Sequence, residues 1–133
     1  MTKETPILDI ASLVPGEREI QISRPGSQEK LPIWVTLMSS DDARLRQHQR
    51  KLMDQQAHRQ QRGKILSSEE KEKAIIELIA RTITGWRWEV HYKGEIPEFS
   101  HRKAVEILSD ENIPWFFAQI NEAAGDTERF FQT

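Results

Sequence analysis

The chain contains no cysteine. That absence removes disulfides, thiolate zinc sites and cysteine nucleophiles, and it fits a reducing compartment. Long apolar runs are missing too. No stretch approaches the ~20 residues needed to span a bilayer, and Met1 to Asp9 lacks the apolar run of a signal peptide. Neither sign of charge dominates: 19 Lys and Arg stand against 21 Asp and Glu, for a net charge of -2. No global field therefore draws the chain to nucleic acid or to an anionic membrane. The glycines form neither GxGxxG nor GxxxxGK[ST], and no serine sits in a GxSxG elbow.

Histidine is present only as His48, His58, His91 and His101. None is spaced i, i+3 or i, i+4 from another, so no helix presents a histidine pair to a metal. The paired carboxylates Asp41-Asp42 and Glu69-Glu70 are expected in first helical turns, where the helix dipole explains them. The expectation is a chain without metal, cofactor or catalytic machinery. The one competing enzymatic reading places a site around His91, Glu89 and Tyr92.

What is present is wet and mixed in pattern. Of 133 residues, 30% are charged and 37% hydrophobic, so a long solvated element is expected within a single domain. Mean hydropathy is -0.66. Residues 1–18 read as a loose N-terminal segment and 126–133 as a tail. The class is α+β. Ile7 to Pro15 reads as a short strand or a docking segment. Glu19 to Ser23 and Leu31 to Met38 alternate as an antiparallel hairpin around the turn Arg24-Pro25-Gly26-Ser27. Trp34 and Met38 on the second face imply that this side is covered as well.

A very polar helix follows, with Ser39 or Ser40 as cap, Asp41 and Asp42 in its first turn and Gly63 just past its end. From Asp41 to Lys64 there are seven Arg or Lys and three Asp, and the apolar residues reduce to a thin Leu45 and Leu52 stripe with Met53 beside it. Ser67 with Glu70 forms a capping box for an apolar helix. Its face is Ile75, Ile76, Leu78, Ile79 and Ile83, running through Thr84 to a stop at Gly85. Trp86 to Tyr92 alternates as a strand, Lys93-Gly94 turns, and Ile96 to Phe99 pairs back as an edge segment. Ser100 caps a short helix with Ala104, Val105, Ile107 and Leu108. Pro114 opens a last helix that buries Ile113, Phe116, Phe117 and Ile120. Phe130 and Phe131 lie beyond it, folding back on the core or awaiting a partner.

These features favour a binding protein. The basic helix 44–64 permits a second reading, a small nucleic-acid-binding regulator, but interleaved aromatics are absent there. Several motifs in order resemble the tail assembly chaperones of long-tailed (siphophage-type) bacteriophages. They are Ser23-Arg24-Pro25-Gly26-Ser27, the strand ending Trp34-Val35-Thr36-Leu37-Met38-Ser39-Ser40, and the polar helix. Ile83-Thr84-Gly85-Trp86, Tyr92-Lys93-Gly94-Glu95, Pro97-Glu98-Phe99-Ser100 and Trp115 with Gln119-Ile120 complete the set. Two stretches depart from the pattern: the basic helix start His101-Arg102-Lys103, and Arg87-Trp88 after Gly85-Trp86, where a glycine is common.

The resemblance implies a non-catalytic, self-associating chaperone. Such a protein binds the phage tape-measure protein, keeps it soluble and helps recruit tail-tube protein. It acts in the bacterial host cytoplasm, away from any membrane, and is absent from the mature virion. Leu45, Leu52, Met53, Phe130 and Phe131 are the expected partner-binding residues.

Overall fold

A computed structural model describes residues 9–12, 14–61, 63 and 67–131. The start of the expected Ile7 to Pro15 segment, the end of the basic stretch at Lys64 and the last two residues lie outside them. Strands β1 (Arg18–Ser23) and β2 (Lys30–Leu37) pair antiparallel. Their connection needs a glycine, because Gly26 has φ 73. β3 (Ile83–Trp88) pairs antiparallel with the other side of β2, giving the order β1-β2-β3.

Alternation sends Ile22, Ile33, Val35, Leu37 and Trp88 to one buried face. The second face carries Trp34, half-buried. The Arg87 guanidinium lies over the Trp34 ring, 4.2 Å from its centre, and Met38, just past the end of β2, is buried.

Four helices follow the sequence expectation closely, and their ends differ in instructive ways. α1 spans Ala43–Gln61 and α2 spans Ser68–Thr82. Asp41 and Asp42 precede α1 instead of occupying its first turn. Ser39 makes a tight turn with them, accepting the Asp41 N–H on Oγ at 3.1 Å and the Asp42 N–H on its carbonyl at 3.0 Å. Asp42 is the cap, and its Oδ1 accepts the Arg44 N–H at 2.9 Å. α2 starts as expected, with Ser67 Oγ accepting the Glu70 N–H at 3.2 Å.

α2 ends earlier than expected. The β-branched run Thr82-Ile83-Thr84 passes straight into β3, and Gly85 lies inside the strand opposite Thr36. The Thr82 carbonyl accepts the Met38 N–H at 2.7 Å, which binds the helix end to the end of β2. The register slips between Thr36 and Leu37, so Thr84 is the extra residue of a bulge.

β3 stops at Trp88, short of the expected Tyr92. Tyr92 to Glu95 closes a tight turn with φ 51 at Lys93 and φ 87 at Gly94. Ile96 to Phe99 forms no strand. It packs on Trp86, whose indole N–H donates to the Pro97 carbonyl at 3.0 Å and whose ring meets Phe99 edge-on at 5.1 Å. Ser100 caps α3 (His101–Leu108) by accepting the Lys103 N–H at 3.0 Å. α4 (Pro114–Gly125) begins on its proline and buries Phe116, Ile120 and Ala124.

Within the tail Thr127–Phe130 makes a helical turn, α5. Ile10–Ser12 is an exposed 3-10 turn rather than a strand. One apolar cluster unites the sheet face, α2, α3, α4 and Phe130. Among the described residues α1 contributes nothing to that cluster; its buried Leu45 lies outside it.

Candidate partner-binding surface

The five residues expected to bind a partner divide by burial. Leu45 and Phe130 are buried, so neither is presented to a partner, and Leu52 is half-buried. Met53 is 67% exposed and Phe131 40% exposed. The difference follows from attachment. Leu45 sits one turn from the Asp42 cap, beside the point where the Ser40 N–H donates to the Ala124 carbonyl at 3.0 Å. Phe130 is tied back by its own carbonyl, which accepts the Gly16 N–H at 2.9 Å. Met53 lies about two turns beyond Leu45 along α1, with Lys51, Asp54 and Gln55 exposed around it.

The histidines do not assemble. His58 and His91 are exposed. His101 Nε2 lies 2.7 Å from Glu77 Oε1, and Arg81 approaches the same carboxylate at 3.4 Å. His48 faces this group from α1. Burial, then the charge of Arg81, pushes its pKa below the ordinary imidazole value. Its Nε2 is buried without a hydrogen-bond partner among the described residues. Among the described residues no group of three or more His, Cys, Asp or Glu is placed to hold a metal ion. Among them, too, no helix is long and apolar enough to cross a membrane.

The constellation around Tyr92 is a structural lock. Glu89 and His91 point into solvent, while the Tyr92 hydroxyl donates to Asp110 Oδ2 at 2.7 Å. Burial, and then that bond, pushes the phenol up to about 12. The Asn112 N–H and the Tyr92 hydroxyl hold Asp110 below the ordinary carboxylate range. The tyrosine therefore joins the Lys93-Gly94 turn to the end of α3 in its neutral form. The hollow beside it, about 520 Å³, is lined by Glu95 to Ser100 and Lys103 and includes neither His91 nor Glu89.

Two open grooves were not foreseen in the sequence. The first, about 550 Å³, lies where α2, the end of α3 and the start of α4 meet. Its floor is Ile75, Ile76, Leu108, Pro114 and Phe117, and its rim includes Lys71, Glu72, Asp110 and Glu111. Ile75, read from periodicity as part of the core face, is 54% exposed. The available hint was breadth: a helix apolar at both 75 and 76 has more apolar arc than one neighbour covers.

The second groove, about 730 Å³, runs along β1 beside α4. Gln119 crosses it. Its Oε1 accepts the Ser23 N–H at 2.8 Å and its Nε2 donates to the Ser23 carbonyl at 2.9 Å. The carboxamide thus takes the place of a neighbouring strand's peptide group at one end of an edge strand.

No family model, curated protein or solved structure matches this chain.

Proposed function

We propose that this chain is a non-catalytic assembly chaperone for long-tailed bacteriophages. In this reading it binds the tape-measure protein, holds it soluble and helps recruit tail-tube protein in the bacterial host cytoplasm, without entering the mature virion. The observation that carries the reading is that the motifs of the resemblance contact one another in the fold. Trp86, from Ile83-Thr84-Gly85-Trp86, bonds Pro97 and packs on Phe99 of the Pro97-to-Ser100 motif. Gln119 clamps Ser23, which opens the Ser23-to-Ser27 turn motif. Tyr92-Lys93-Gly94-Glu95 forms the tight turn. These contacts agree with the reading.

The surfaces agree with the reading in kind. A client with apolar helical stripes calls for shallow apolar ground within a charged shell. The α2–α4 groove and the exposed Met53 supply it.

Co-expression with a tape-measure protein, followed by size-exclusion chromatography with light scattering, tests the proposal. A soluble complex is expected where the client alone precipitates. A client that stays insoluble and does not co-elute counts against it. Salt-sensitive DNA binding that weakens when Arg46, Arg50 and Arg59 are neutralised would instead favour the nucleic-acid reading.

A further inference from the structure

We propose that the groove between α2 and the start of α4 is a recognition site for a cationic amphipathic helix supplied by a partner protein. The lining from α2 sets the length of the occupant. Ser68, Lys71, Glu72, Ile75 and Ile76 face the groove, at i, i+3, i+4, i+7 and i+8. It therefore follows one side of α2 for about 12 Å, or two turns. Ile76 and Leu108 are buried at its base, while Ile75 is 54% exposed and Phe117 half-buried. An incoming apolar side chain meets apolar ground already in place.

The walls decide the secondary structure of the occupant. α2 and α4 are helices, whose backbone groups bond along their own axes. In the connection between α3 and α4 the Ser109, Asp110 and Ile113 N–H groups already donate to the Val105, Ile107 and Asp110 carbonyls. The groove thus offers no strand edge. An extended segment laid along it would lose water from its peptide groups and gain no partners, whereas a helix satisfies its own.

The rim decides the charge. Glu72, Asp110 and Glu111 stand against Lys71. Asp110 already receives the Tyr92 hydroxyl at 2.7 Å. Glu72 and Glu111 are exposed, and among the described residues no ion pair engages either of them. Lysine or arginine beside the apolar stripe of the occupant meets these two carboxylates, and acidic residues there would be repelled. The inference goes beyond the chaperone reading, because it concerns which helices the groove accepts, whichever protein carries them.

Titration of the isotope-labelled full chain with synthetic peptides of about 18 residues, followed by nuclear magnetic resonance, tests it. The first peptide carries leucine at i, i+3, i+4 and i+7 with lysine on both flanks of that stripe. The second has glutamate in place of every lysine, and the third has a proline within the stripe. The lysine peptide is expected to bind with a Kd below about 1 mM and to move the amide signals of Ile75, Leu108 and Phe117. The glutamate and proline peptides should each bind at least about tenfold more weakly. Ile75→Asp, a change at an exposed position, should weaken the lysine peptide at least about tenfold with the far-ultraviolet circular dichroism unchanged. Glu72→Lys with Glu111→Lys should reverse the preference between the lysine and glutamate peptides. Absence of binding overturns the proposal, and so does equal binding of the three peptides or indifference to both sets of substitutions. Groove signals that move with the chain's own concentration, and not with the peptide, would give the groove to a second copy and overturn it too. A chain that still solubilises the tape-measure protein with Ile75→Asp in place leaves the chaperone reading standing whatever the peptides show.

Discussion

β2 and α1 are close in the chain and opposite in how they are held. β2 is paired on both sides and sends Ile33, Val35 and Leu37 into the core. α1 is more than twice as long, yet Leu45 is its one fully buried apolar residue among those described. The strand is fixed by tertiary packing. The helix is fixed near its start, by the Asp42 cap, Leu45, the Ser40 bond to Ala124 and the packing of its His48 side against α2, and further along relies on the helix preference of Gln, Arg, Lys, Leu and Ala. Damage to the body should unfold everything, whereas damage at the α1 anchor should loosen α1 alone.

Phe116→Ala should have the largest effect. The ring is fully buried and packs 5.7 Å from Trp88 and 6.4 Å from Trp115. A loss of about 3–5 kcal/mol is expected, read as a lower urea midpoint with all probes shifting together. A local loss confined to α1 would contradict the division drawn above.

Gln119→Ala comes next. It strips both partners from the Ser23 peptide and reopens the end of an edge strand. The expected cost is about 1–3 kcal/mol, with faster amide exchange at Ser23. Unchanged exchange there would mean that the carboxamide is dispensable.

Asp42→Ala tests the other side of the comparison. The carboxylate caps α1 and also receives the Arg44 guanidinium at 3.0 Å on each oxygen. A loss of about 1 kcal/mol is expected. It should appear as faster amide exchange through α1 while the strands keep their protection. Uniform loss across strands and helix would show that α1 unfolds only with the body.

The same contrast explains what could be read in advance. Period-two alternation in Ile20, Ile22, Ile33, Val35 and Leu37 placed the hairpin and its buried face, and cap residues placed the starts of α2 and α3. The α+β class follows from those elements. Ends were harder, because they depend on distant partners. Thr82 ends its helix where Met38 takes its carbonyl, and β3 ends where the Glu89 N–H donates to the Pro32 carbonyl at 2.9 Å.

Surface residues were harder still. Leu45 and Met53 look alike as apolar positions on a polar helix, and only tertiary position makes one buried and the other open. The α2–α4 groove draws Ile75, Leu108 and Phe117 from three helices. No local pattern joins them.

The smallest expected effect is a pH dependence at the junction of the two regions. His48 faces Arg81, Glu77 and His101 of the body and Lys51 of its own helix. In the unfolded chain its imidazole takes up a proton near pH 6.5, whereas burial and the Arg81 charge set the folded value lower. Between those two values the unfolded state holds more protons, so its contribution to stability is complete above about pH 6.5 and declines as the pH falls toward the folded value. Urea titrations at about pH 7.5 and about pH 5.5 should show a lower midpoint in acid, and His48→Gln should reduce the difference. Exchange should quicken first in α1, since the proton enters on that side of the contact. Equal pH dependence in the two proteins would rule His48 out as its cause.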